Sequence, residues 1–231
     1  MTFHLRDFHR QTNDLDITVA VSLAELIIDF GKLPGWSRHP RREQEWRSPE
    51  DVRVDLIPIA PDLLAAGYVT WPESGFRMSL LGFRHALEQV RSVSLDSGLT
   101  INVASVPTIF LLKTIAYQER PEERAKDLSD IAYILEGYIA DDDPRRFGED
   151  VIASGTHYED VSSFILGRDL AAMANSEERG EIEAFIARAR DESDGGRAQS
   201  VMLRQGPAAW HRNPRELMLR FGALESGLHY V

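Results

Sequence analysis

Asp14 and Asp16 stand two apart in a run where Leu15, Ile17, Val19 and Val21 alternate with Asp14, Asp16, Thr18 and Ala20. A period of two reads as a half-buried strand, so both carboxylates leave its same face. Two hard oxygen donors beside solvent suit Mg²⁺ or Mn²⁺. A third carboxylate, Asp55, lies in a second alternating run over residues 52–59. If the two strands are neighbours, three carboxylates would hold two metals about 3.5–4 Å apart, an arrangement for in-line phosphoryl or nucleotidyl transfer. The same residues have a plainer use. Asp14 can open the strand as a turn residue, Asp16 can face water, and Asp55 can pair with Arg53 on its own face.

Lys113 sits inside the apolar stretch Leu111-Leu112-Lys113-Thr114-Ile115. An ammonium in such a setting needs a partner or a route to water. Asp127 and Asp130, three apart in a helical stretch, share a face and are the expected partners. Residues 36–47 interleave Trp36 and Trp46 with Arg38, Arg41, Arg42 and Arg47. That mixture is able to stack bases and hold phosphate, or simply to anchor a surface loop. The seven histidines show no metal-ligand spacing, and no P-loop or G-x-S-x-G occurs.

The elements that must position these groups are legible in outline. The spacing predicts a strand over 14–21 and a helix from a Ser22–Glu25 capping box to about Phe30. A loop over 36–50 follows, then a strand over 52–59 that Pro58 ends. A short strand near 68–71, a helix over 80–93 and a strand over 99–104 come next. Helices are expected over 107–119 and 121–138, the second starting at Pro121. Residues 141–144 mark a boundary. A helical tail follows over about 159–174, 176–191 and 214–223, with a flexible break at 191–196. The expectation is an α+β fold with a core over 1–140 and a helical subdomain over 141–231.

Composition narrows the classes. The 231 residues carry 26 Lys and Arg against 37 Asp and Glu, a formal charge of −11. That balance argues against a general nucleic-acid coat. Hydrophobic residues at 43% and charged residues at 27% suit a chain with a real core. The absence of cysteine excludes disulfides, thiolate zinc sites and cysteine nucleophiles. No apolar run is long enough to span a membrane, and the charged start shows no secretory signal. A cytoplasmic address is therefore expected. Only Lys32, Lys113 and Lys126 are lysines among the basic residues, which draws attention to the two that fall in one short segment.

Taken as a set, the motifs resemble the nucleotidyltransferases of the AbiEii/AbiGii toxin family. The resemblance rests first on Arg10-Gln11-Thr12-Asn13-Asp14-Leu15-Asp16 and on Val54-Asp55-Leu56-Ile57-Pro58. It continues through Trp71-Pro72, Met78-Ser79-Leu80-Leu81-Gly82-Phe83 and Val103-Ala104-Ser105-Val106-Pro107. It ends with Lys113, Arg120, Lys126-Asp127-Leu128-Ser129-Asp130-Ile131 and Ile165-Leu166-Gly167-Arg168-Asp169-Leu170.

That resemblance implies a nucleotidyltransferase-like mixed sheet flanked by helices. It also implies transfer of a nucleoside monophosphate from an NTP to an acceptor hydroxyl, with RNA or tRNA as acceptor. The setting would be a toxin of a toxin–antitoxin or phage-defence pair, with an antitoxin protein as partner. Asp14 and Asp16 would bind Mg²⁺ or Mn²⁺, with Asp55 as third ligand or as base. Lys113 would balance triphosphate charge beside Asp127, and Arg10 and Thr12 would contact the nucleotide. The glycine turn that the family carries before its D-x-D has no counterpart in residues 1–13. Two alternatives follow: a non-catalytic remnant that binds or regulates, and a nuclease or phosphohydrolase using the same carboxylates. An unpaired first strand would also offer an edge for a homodimer.

Overall fold

The computed structural model describes residues 14–211 and 213–230, and of residues 192–196 the backbone. The fold is α+β, as expected. The chain divides into two compact units, one ending at Ala104 and the other beginning at Ser105.

The first unit is built on a mixed four-stranded sheet. Strand β1 (Asp14–Val19) is followed by α1 (Leu23–Gly31), β2 (Ser37–Arg38), β3 (Glu45–Arg47) and β4 (Arg53–Pro58). The order is β1-β4-β3-β2, with β1 parallel to β4 and the other pairs antiparallel. The capping box forms as expected: Glu25 N–H donates to Ser22 Oγ at 3.3 Å, and Ser22 N–H donates to Glu25 Oε2 at 2.9 Å. Helix α1 lays Leu26 and Phe30 on the apolar side of the sheet, where Val54, Leu56 and Trp46 are buried. Burying each such side chain contributes about 1.5–3 kcal/mol. That side is committed to the core on β3 and β4. Leu15 and Ile17, which share it on β1, are exposed, so β1 is not the half-buried strand expected. Alternation turns Asp14, Asp16, Arg53 and Asp55 to the other side.

The region read as a loop over 36–50 contains β2 and β3. Its aromatics point inward: Phe30 meets Trp36 edge-on at 5.5 Å and Trp46 at 5.7 Å. Helix α2 (Pro61–Ala66) and a hairpin of β5 (Tyr68–Thr70) and β6 (Arg77–Ser79) form a second small core around Trp71 and Ile59. Glu43, buried, fastens this part. It accepts from the backbone N–H of Glu73 at 3.0 Å and of Ser74 at 2.7 Å, and from Arg38 at 2.9 Å. The helix expected over 80–93 is a single short turn, α3 (His85–Glu88), followed by β7 (Val90–Ser94), which pairs with β8 (Thr100–Ala104). The turn between them places Gly98 at φ 81°, a conformation glycine adopts without strain.

The second unit is helical. Its elements are α4 (Val106–Glu119), α5 (Ala125–Gly137), α6 (Glu149–Ser154), α7 (Val161–Met173), α8 (Ser176–Arg190), α9 (Glu192–Gln205) and α10 (Pro214–Leu228). Ser105 caps α4. Residues 121–124 form a turn, so the second helix starts at Ala125 and not at Pro121. The tail helices fall where expected, but the break expected over 191–196 narrows to Asp191, whose backbone is extended. Helix α9 starts at Glu192, and Ala198, Val201 and Met202 bury its face at helical spacing. The unit division at 104/105 also differs from the boundary expected at 140/141, because α5 packs among helices on both sides of residue 140. Ser163 Oγ donates to Leu135 C=O at 2.9 Å, and Ser129 Oγ donates to Gln205 C=O at 2.7 Å. No helix among the described residues is long and apolar enough to cross a membrane.

Candidate active site

The register of the first sheet decides what its polar face presents. Asp16 lies opposite Asp55, and Asp14 opposite Arg53. On the other side of β4, Glu45 lies opposite Asp55, and Arg47 opposite Arg53. Residues directly opposite on neighbouring strands share a face. One rung therefore reads Asp16, Asp55, Glu45 and the next reads Asp14, Arg53, Arg47.

Arg53 holds these groups together. Its Nη2 donates to Asp55 Oδ2 at 2.9 Å and stands 3.6 Å from Asp14 Oδ2. Its Nε lies 3.3 Å from Glu45 Oε2. The hydrogen bond to Asp55 raises the guanidinium pKa above its usual value. Partial burial works against that rise, and the charges of Asp55, Glu45 and Asp14 add to it. Glu45, 4% exposed, is flanked by Arg42 at 3.2 Å and Arg47 at 3.9 Å. These pairings, with the Arg38–Glu43 pair, engage Arg38, Arg42 and Arg47 within the unit. The interleaved stretch thus packs its aromatics inward and pairs these arginines with carboxylates.

A second charged cluster lies in the helical unit. Lys113 Nζ, on α4, stands 2.9 Å from Asp127 Oδ1 and 2.6 Å from Asp130 Oδ2, both on α5. Arg124 Nε lies 2.7 Å from Asp127 Oδ2. Asp127 and Asp130 are 1% and 0% exposed, and Lys113 18%. Burial alone would lower the Lys113 pKa, but the charges of the two aspartates outweigh it and hold it above the usual lysine value. The three-residue spacing predicted this partnership.

The geometry thus places Asp14, Asp16 and Asp55 on one sheet face, and pairs Lys113 with Asp127. Arg10 and Thr12 lie outside the described residues. Sequence reasoning missed Glu45, because a three-residue strand inside an arginine-rich stretch carries no readable period. The alternation Glu43, Glu45, Arg47 around buried Trp46 was the available signal.

The family model for the nucleotidyl transferase AbiEii toxin of type IV toxin–antitoxin systems matches residues 1–202. The chain belongs to the AbiEii family. No curated protein and no solved structure matches it. The AbiEii match runs through both units and stops within α9, so α10 lies beyond it.

The sheet carboxylates of this AbiEii member fit a hard divalent cation in kind: three oxygen donors from adjacent rungs on the side away from the core. As the side chains stand, no group of three or more His, Cys, Asp or Glu among the described residues is arranged to hold a metal. Asp14 and Asp55 are drawn instead toward Arg53.

Proposed function

We propose that this AbiEii protein transfers a nucleoside monophosphate from an NTP to a hydroxyl of an RNA acceptor, as a toxin that an antitoxin offsets. The observation that carries this reading is the in-register placement of Asp14, Asp16 and Asp55 on one face of the β1–β4 pair. In the reaction, the acceptor oxygen bonds to the α-phosphorus. The bond to the bridging oxygen of the β-phosphate breaks, and pyrophosphate leaves. A bound Mg²⁺ or Mn²⁺ would supply positive charge for the phosphate oxygens. Asp14 and Asp16 hold that cation in this reading. Asp55 is either the third ligand or the base that takes the acceptor proton.

Incorporation of each radiolabelled NTP into total bacterial RNA, with Mg²⁺, tests the proposal. Wild type should label RNA, and Asp14→Asn and Asp16→Asn should abolish labelling while leaving the circular dichroism spectrum unchanged. Equal labelling by both variants would remove the carboxylates from the chemistry. Breakdown of RNA or nucleotide without label transfer would assign the face to hydrolysis. Absence of any reaction, together with absence of Mg²⁺–NTP binding, would assign the protein a binding or regulatory role.

A further inference from the structure

The polar face of β1, β4 and β3 contains a cation of its own. Arg53 grips one carboxylate with two nitrogens and has two more carboxylates beside it. Its Nε donates to Asp55 Oδ1 at 3.4 Å and its Nη2 to Asp55 Oδ2 at 2.9 Å, while Glu45 Oε2 stands 3.3 Å from Nε and Asp14 Oδ2 stands 3.6 Å from Nη2. Glu45 is nearly inaccessible to water and is braced by Arg42 as well, so it is a fixed negative charge beside the guanidinium. The guanidinium itself lies on Asp55 and beside Asp14, two of the three carboxylates assigned to a divalent cation. We propose that Arg53 is a resident counter-ion that suppresses binding of a bare divalent metal and makes metal binding conditional on a triphosphate. This rests on the metal-site reading given above.

The argument is electrostatic. A lone dication arriving at Asp14 and Asp55 meets a guanidinium already hydrogen-bonded to Asp55. It must displace both Nε and Nη2 and then sit beside that positive charge. A triphosphate arriving with the cation brings its own negative oxygens, and these offer the displaced Nε and Nη2 new acceptors in the bidentate geometry that guanidinium favours. Glu45, 3.3 Å from Nε, keeps a negative charge beside the guanidinium as its nitrogens turn from Asp55 to the phosphate. While no cation is bound, the same contacts stop three carboxylates on neighbouring rungs from repelling one another.

Electron paramagnetic resonance of Mn²⁺ titrated into the full chain reads this directly, without turnover. Wild type should bind bare Mn²⁺ weakly and bind it at least tenfold more tightly with a non-hydrolysable NTP analogue. Arg53→Gln should bind bare Mn²⁺ at least about tenfold more tightly than wild type, since a like charge within about 4–6 Å moves a cation equilibrium by that much or more. Adding Asp55→Asn to Arg53→Gln should remove the gain. Arg53→Lys keeps the charge and should stay weak.

Equal or weaker bare Mn²⁺ binding by a folded Arg53→Gln overturns the proposal and leaves the metal site standing. So does wild-type binding that is as tight without the analogue as with it, which decides the matter even if Arg53→Gln does not fold. Failure of every form to bind Mn²⁺, with or without the analogue, overturns the proposal and the metal site together.

Discussion

Lys113 joins α4 to α5 through two carboxylates that water barely reaches. Breaking a buried pair from one side leaves charge without compensation, at a cost of about 3–5 kcal/mol. Arg124 still serves Asp127, so Lys113→Met should destabilise the protein by about 3 kcal/mol. The pH dependence has a definite sign. The folded pKa of Lys113 lies above the ordinary 10.5, so the folded state binds this proton more tightly than the unfolded chain does. The contribution is complete below pH 10.5 and is lost as pH rises through the higher folded value. Urea unfolding of wild type and Lys113→Met should show a constant gap from neutral pH to pH 10.5 and a shrinking gap above it. A gap that grows with alkali would contradict the pairing. At this scale an intact period gave which residues share a face, though not their burial, since Leu15 and Ile17 are exposed. Period two placed Asp14, Asp16 and Asp55 on one face, and three-residue spacing gave Lys113 its partners. Glu45 escaped because it is set by the pairing of β3 with β4 and not by any local pattern.

Among the elements, α7 and α10 cross most closely, and glycine allows it. A Cβ on Gly167 would stand 2.1 Å from Leu224 C=O and 2.8 Å from Leu228 N, and one on Gly227 would stand 2.0 Å from Phe164 C=O. All three obstacles are backbone, which cannot swing aside. Gly167→Ala and Gly227→Ala should therefore each destabilise by about 2–4 kcal/mol, lowering the melting temperature by roughly 2–4 °C per kcal/mol. Gly180 in α8 is the contrast, with nothing within 4 Å of an added Cβ. Gly180→Ala should stabilise by about 0.5–1 kcal/mol through helix propensity alone. Thermal melts of the three variants check the order, and a neutral Gly167→Ala would refute the close crossing. This crossing also explains the tail motif around Gly167 in packing terms. Arg168 pairs with Asp150, and Asp169 accepts from Tyr138 and Arg145. Two of the misread stretches have tertiary reasons. The β7–β8 hairpin overrode a helical reading of 80–93, since its strands satisfy each other's backbone. Helix α9 begins in a glycine-bearing stretch of weak propensity, but Ala198, Val201 and Met202 bury its later turns.

For the whole molecule, the question is where a chain of two units can be cut. The helical unit carries its own core: Phe110, Ile131, Phe164, Phe185 and Phe221 are all fully buried and all follow Ser105. Helix α5 belongs to that core. Leu128, Ile131, Ile134 and Leu135 are buried on it, and Glu136 accepts from Trp210 Nε1 and Arg220 Nε, each at 2.9 Å. A cut at 140/141 would remove all of these. Losing the burial of four such side chains is worth about 6–12 kcal/mol, comparable with the whole stability of a typical domain, about 5–15 kcal/mol. It would also strand Arg220, which keeps Asp160 but loses Glu136, and would leave Ser163 without the Leu135 carbonyl. A fragment of residues 105–231 should therefore be helical by circular dichroism and melt cooperatively. A fragment of residues 141–231 should show no cooperative transition. The reverse ranking would return the boundary to 140/141 and make α4 and α5 part of the unit that carries Asp14 and Asp16. A cooperative 105–231 fragment would instead show that the Lys113 cluster is built entirely by the helical unit, so that its pairing persists when the sheet and its carboxylates are absent.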